Sequence, residues 1–250
     1  MFWSAKYKAT RMAKKLLKLN RLGKHEAAIK VADKLYSQYI NSEDQQERSH
    51  ARLALVGKTP GLFLLGRYRE VIVHADHTIK VFTDSKLSED IEREVEFDFY
   101  IKQMIRSKIE ALHALEEYDK ALLLIDSVVD DHITHTHDGI EYTTSKILLL
   151  KADIFKLKNY NINDRLAVFN QMVSRYRKSK NFDVLENVLH ALTEILIVCV
   201  ELDDYETALT ISQTAKELDS RADQVKVQRI LTSVEQFEML LEANKKGLMT

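Results

Sequence analysis

Glu117-Tyr118-Asp119-Lys120-Ala121 and Asp204-Tyr205-Glu206-Thr207-Ala208 share one short pattern. A helix-breaking step is followed by a ring residue and, three positions later, by a small apolar residue that starts a new apolar-periodic run. Gly23-Lys24-His25-Glu26-Ala27-Ala28 and Gly66-Arg67-Tyr68-Arg69-Glu70-Val71 are two more copies. A ring at such a turn fills the gap between two antiparallel helices, and a small side chain one turn into the second helix lets their backbones approach closely. The pattern predicts a helical repeat. Such arrays hold another molecule against an extended surface, but the repeat does not name that molecule.

The composition agrees. One proline (Pro60) and six glycines in 250 residues leave little material for turns, so sheets and long loops are not expected. The chain is long enough to bury a substantial core without staples. The lone Cys199 lies in the apolar run Ile195-Leu196-Ile197-Val198-Cys199-Val200, which gives no disulfide partner and suits a reducing compartment. Its residue type and setting are those of a small buried hydrophobe. The start Met1-Phe2-Trp3-Ser4-Ala5-Lys6 has no apolar leader core and no run approaches a membrane span, so a cytoplasmic protein is expected.

The net charge of −1 hides a polarity along the chain. Residues 1–60 carry thirteen Lys/Arg against five Asp/Glu, and residues 84–141 carry six against sixteen. Blocks of opposite sign are ordinarily solvated faces, but they also steer charged partners or pair two copies head to tail in a homo-oligomer.

Apolar periodicity predicts about eleven helices. The first runs from near Ser4 to Leu22 and the second from His25 to Tyr39. Ser42 or Asp44 caps a third that passes through Pro60, where it is expected to kink or split. A fourth covers Tyr68 to Phe82, and a fifth, announced by Ser85 or Ser88, runs to Leu115. The sixth follows Tyr118. The polar segment 130–139 interrupts the pattern, and two helices follow near Glu141 to Leu157 and Asn163 to Ser179. Between those two, Tyr160 in Asn159-Tyr160-Asn161-Ile162-Asn163 makes a fifth, looser copy of the turn. Helices nine and ten flank Asp203-Asp204-Tyr205, and the last, from about Arg221 to Lys246, carries Val227, Ile230, Leu231, Val234 and Phe237 on one stripe.

At these turns the chain resembles the tetratricopeptide-repeat (TPR-like) family, over about residues 9–218. It departs from that family in its spacing of 41 to 50 residues and in lacking the first-helix tryptophan and closing proline. The resemblance implies a single superhelical domain over 1–250, an all-α solenoid of about five antiparallel pairs (near 4–40, 43–83, 86–130, 140–179 and 182–218) with a capping helix at 221–246. It also implies that the first helix of each pair lines a concave groove that grips an extended peptide or a partner's helix. The groove-facing candidates are Lys14, Leu17, Asn20 and Arg21; Gln103, Arg106, Glu110 and His113; and His190, Thr193 and Ile197. The Lys/Asn clamp with which some relatives hold a terminal carboxylate is not reproduced, because Ala13 and Leu17 stand at its positions.

Other features are read against their ordinary explanations. His132, His135 and His137 lie among three carboxylates in the 130–138 loop and have metal-ligand chemistry. They lack the i, i+4 spacing that pre-forms a site, so no metal is expected. His74 and His77 are a similar pair on the fourth helix. Val56-Gly57-Lys58-Thr59 echoes the end of a phosphate loop, but Arg52 replaces its first glycine and no strand precedes it, so it reads as a helix interruption. In the first helix Lys6, Lys8, Arg11, Lys14, Lys15, Lys18, Arg21 and Lys24 precede any acidic residue. Such a face meets an acidic partner or, less in keeping with the near-neutral whole, nucleic acid or anionic lipid. The expected function is a non-catalytic scaffold without cofactor that binds a protein or peptide. The competing class is a regulatory sensor whose basic N-terminal face contacts nucleic acid or an acidic partner.

Overall fold

The computed structural model describes residues 2–86, 94–129, 138–218 and 223–245. Among the described residues it contains eleven α-helices and no strand: α1 (Phe2–Arg21), α2 (His25–Tyr39), α3 (Gln45–Leu64), α4 (Tyr68–Lys86), α5 (Glu94–Ala114), α6 (Tyr118–Val129), α7 (Asp138–Leu157), α8 (Ile162–Tyr176), α9 (Phe182–Glu201), α10 (Tyr205–Lys216) and α11 (Gln224–Lys245). None of these helices is long and apolar enough to cross a membrane.

Five of the corners are closed in one way. Gly23, Gly66, Glu116, Asn159 and Asp203 have φ of +68, +69, +58, +55 and +54°, and they follow one another at spacings of 43, 50, 43 and 44 residues. At each, the next residue's N–H reaches back five positions: Lys24 to Leu19, Arg67 to Leu62, Glu117 to Leu112, Tyr160 to Phe155 and Asp204 to Cys199, all at 2.9 or 3.0 Å. The left-handed residue itself donates three positions back in every case. This closure satisfies the orphan carbonyls at a helix C-terminus and turns the chain sharply. After it, the small residues Ala28, Val71, Ala121 and Ala208 are all 0 % exposed, as close approach of two helices requires. Tyr68 packs edge-on against Phe63 and Tyr118 against His113, with centroids 5.1 and 5.6 Å apart. The α7–α8 corner is the irregular copy. There Tyr160 comes one residue earlier after the left-handed position and stacks flat on Phe155 at 4.6 Å, leaving it exposed.

The chain divides into two compact units, residues 1–128 and 129–250. In the first, α1 packs on α2 and α3, α2 on α3, α3 on α4 and α5, and α4 on α5. Ala9, Leu16, Ala28, Ala32, Leu35 and Ala54 form one core cluster, and Ile29, Leu62, Val71 and Ala111 another. Each fully buried leucine or isoleucine contributes about 1.5–3 kcal/mol. Two glycines of α3 set the spacing: a Cβ on Gly57 would lie 2.9 Å from Leu16 Cδ2, and one on Gly61 3.3 Å from Ile29 Cγ1.

Pro60 does not split α3, which runs unbroken from Gln45 to Leu64. A proline removes the N–H that would serve the carbonyl four residues earlier and crowds that turn. Side chains from other helices meet this stretch: Asn20 Nδ2 donates to the Gly57 carbonyl at 2.7 Å, and His74 Nε2 lies 2.8 Å from the Leu55 carbonyl. These bonds tie α1 and α4 to the weakened turn. Asp44 caps α3, its carboxylate accepting from the N–H groups of Gln46 and Glu47.

In the second unit α7 packs on α8 and α9, α8 on α9, α9 on α10 and α11, and α10 on α11. The helix at the hub is α9, with eleven buried residues that include Leu185, Val188, Leu192 and Ile195. Asn181 caps it through Asp183 N–H and Val184 N–H. A buried Asn187 Nδ2 donates to Ser145 Oγ at 2.7 Å, and Arg165 meets Glu194 at 3.4 Å, fixing α9 against α7 and α8. The entries to α3 and α9 match: Ser42 Oγ accepts from Asp44 N–H and Ser179 Oγ from Asn181 N–H, both at 3.2 Å. Thus α1, α3, α7 and α9 each touch both the even helix that follows and the next odd one.

A candidate recognition cleft on α9 and α11

The solvent face of α9 is a stripe made by residues three and four apart. His190, Thr193, Ile197 and Val200 are exposed along it and Glu186 is half-buried at its start. This is the helical 3.6-residue period read from the side opposite the core. Beside the stripe, α11 (Gln224–Lys245) presents Lys226, Arg229 and Ser233, while its apolar Val227, Ile230, Val234 and Phe237 are buried. Between them lies a cleft of about 290 Å³. Its floor is Leu189, Leu196 and Ile230, and its walls are Glu186, His190, Thr193, Lys226, Arg229 and Ser233.

The polar groups of the cleft are unevenly satisfied. Glu186 Oε2 pairs with the Lys226 ammonium, which also lies 3.8 Å from Asp223. That hydrogen bond to Glu186 is the main cause holding the Lys226 pKa above its ordinary value. Glu186 Oε1 is shielded from water and has no hydrogen-bond partner among the described residues, and leaving a buried acceptor unsatisfied costs free energy. The Thr193 hydroxyl is spent on the Leu189 carbonyl at 2.9 Å. His190 and Arg229 are exposed at the rim. An apolar floor with a few convergent polar groups is the build of a site for one side chain of a ligand.

The other candidates from the sequence fall in different settings. On α1, Lys14, Leu17 and Arg21 are exposed, but Asn20 is half-buried and its amide is used on the Gly57 carbonyl. On α5, Gln103, Arg106, Glu110 and His113 are all half-buried. Arg106 and Glu110 pair within the helix at 3.3 Å, and His113 packs against Tyr118. His190 and Thr193 are thus the candidates that the structure places in a cleft.

The walls supplied by Glu186, Lys226, Arg229 and Ser233 were not among the expected site residues. Lys226, Arg229 and Ser233 each precede a residue of the apolar stripe of α11 by one position, so they border the buried face. Sequence alone does not say which helix lies alongside.

His74 and His77 are explained by packing. His74 is buried with its Nε2 on the Leu55 carbonyl, and burial, above all other causes, lowers its pKa. His77 meets Tyr36, with Nε2 3.1 Å from the phenol oxygen and the rings edge-on. The Val56-Gly57-Lys58-Thr59 stretch is helical, with Lys58 paired to Asp33 and Thr59 buried. Cys199 is buried and its thiol is pushed up to about 11, chiefly by burial. His132, His135 and His137 lie outside the described residues.

Comparisons of the chain with protein-family models, with curated proteins and with solved structures gave no match in any of the three.

Proposed function

We propose that this chain is a TPR-like helical-repeat scaffold that binds an extended peptide or a helix of another protein, without catalysis of its own. The observation that carries the reading is the recurrence of one backbone closure at five corners, spaced by 43, 50, 43 and 44 residues, each followed by a helix. A polypeptide that repeats a corner in this way stacks its helices in series and leaves a row of them facing solvent. The α9 stripe and its cleft are the docking point. Leu189, Leu196 and Ile230 receive an apolar side chain. Rigid helices hold these groups in place before the ligand arrives, which lowers the entropy lost on binding.

The reading is tested by selecting binders from a random peptide display library against the full chain and measuring them with Thr193→Arg. Peptides with a recurrent apolar anchor are expected, and Thr193→Arg, which fills the cleft mouth at an exposed position, is expected to weaken them about tenfold or more. Failure to enrich any peptide, or binding that Thr193→Arg leaves unchanged, removes this function.

A further inference from the structure

A second cleft belongs to the first unit. It lies between α1 and α2, measures about 610 Å³, and is lined by Lys8, Arg11 and Lys15 of α1 and Lys34 of α2, with Met12 and Tyr39 as its apolar part. The four cations are exposed and none forms an ion pair among the described residues. No carboxylate lines the cleft. The charge of Glu47 reaches Tyr39 at one edge, and its carboxylate is occupied by the Ser42 hydroxyl at 2.6 Å. Four like charges held around one hollow repel each other, and an anionic occupant relieves that repulsion.

The chemistry of the floor selects the occupant. Lys8, Arg11 and Lys15 stand at i, i+3 and i+7, a row of about 10 Å at the helical rise. Alternate residues of an extended peptide are about 6.6 Å apart, so two carboxylates on one edge of such a strand match the rise of about 6 Å between Arg11 and Lys15. Met12 and Tyr39 offer apolar contact beneath. Single-stranded nucleic acid needs free aromatic faces on which bases stack. Here the one ring is half-buried and packed on the α1–α3 core cluster.

We infer that the α1–α2 cleft docks an acidic, extended peptide segment of a partner protein, through Lys8, Arg11, Lys15 and Lys34 around an apolar contact on Met12 and Tyr39. This is a separate site from the α9–α11 cleft, recognised by charge where that one is recognised by an apolar anchor, and its test does not depend on the other.

The test uses the full chain and a fluorescein-labelled peptide of glutamates flanking a single leucine, followed by anisotropy through a salt series. Binding at low salt that weakens as salt rises is expected, together with a loss of about tenfold or more in the charge-reversal pair Arg11→Glu and Lys15→Glu. Circular dichroism checks that the pair still folds, and Lys34→Glu alone replaces it if it does not. Lys180→Glu, an exposed site in the second unit, is expected to leave binding unchanged. The proposal is overturned by absence of peptide binding, by retention in the folded charge-reversal variant, or by an equal loss in Lys180→Glu. It is also overturned if oligo-dT binds more tightly than the peptide and is lost in the same variants, since the cleft then serves nucleic acid.

Discussion

Lys58 of α3 holds Asp33 of α2 with Nζ 2.6 Å from the carboxylate, and the pair returns one repeat later as Lys108 of α5 on Asp76 of α4, again at 2.6 Å. The two aspartates are 43 residues apart and the two lysines 50, the same offsets that separate the neighbouring left-handed corners. The repeat is therefore written into side-chain contacts as well as into the backbone. Both aspartates are more than half exposed, so each pair is worth little. Lys58→Ala and Lys108→Ala are each expected to cost less than about 1 kcal/mol in urea unfolding, and the cost is expected to shrink in high salt. A larger, salt-independent loss would mean that the lysine stems matter for packing and not for charge.

The three corners that lack glycine hold an ordinary residue in the left-handed region. Glu116, with φ of +58°, bears the steric cost that Gly23 and Gly66 avoid. Glu116→Gly is expected to stabilise the chain by about 0.5–1 kcal/mol, the relief of strain exceeding the extra freedom of the unfolded glycine. Gly66→Ala is expected to destabilise by a similar amount, about 1 kcal/mol. Midpoints of chemical unfolding measure both, and a gain from Gly66→Ala contradicts the left-handed assignment.

At Gly57 the backbone of α3 sits so close to α1 that a methyl group would lie 2.9 Å from Leu16 Cδ2. Gly57→Val overfills this contact and is expected to cost about 1–3 kcal/mol. Adding Leu16→Ala is expected to recover part of the loss, because it makes room for the new side chain. A double-mutant cycle reads the coupling directly, and additive losses would show that the two helices do not meet there.

His74 makes stability depend on pH. Burial lowers its pKa most, Lys58 and His77 add to the lowering, and the Leu55 carbonyl and Asp33 oppose it. The imidazole of the unfolded chain takes up a proton near pH 6.5, whereas the folded one resists until lower pH. In that window the unfolded state binds more protons, so stability is complete above about pH 6.5 and falls as pH drops through the folded pKa. His50, also lowered chiefly by burial, acts in the same direction. Thermal melts from pH 7.5 to 5 are expected to show the fall, with a shallower slope in His74→Gln. A melt that rises on acidification contradicts a buried neutral imidazole.

Much of the fold was legible because its corners and apolar stripes are local. His25 and Tyr39 bound α2 in the structure as they did in the periodicity, and the small residues after four of the turns are fully buried. The looser copy at Tyr160 was legible as an exception, and its ring does lie differently. Of the two outcomes expected at Pro60, a kink or a split, the split does not occur, and the contacts that Asn20 and His74 bring to this stretch from other helices have no mark in the sequence. The same blindness hid Glu186, Lys226 and Arg229, which meet only when α9 and α11 are set side by side. A stripe on one helix is readable from its period; the identity of the neighbour across from it is a property of packing.

The five corners also bear on how such a chain comes to be. Each is closed by hydrogen bonds that span no more than five residues, so every bend is specified within its own neighbourhood and borrows nothing from distant parts. Growth by duplication of a segment of about 43 residues would copy a finished bend along with its two flanking rods.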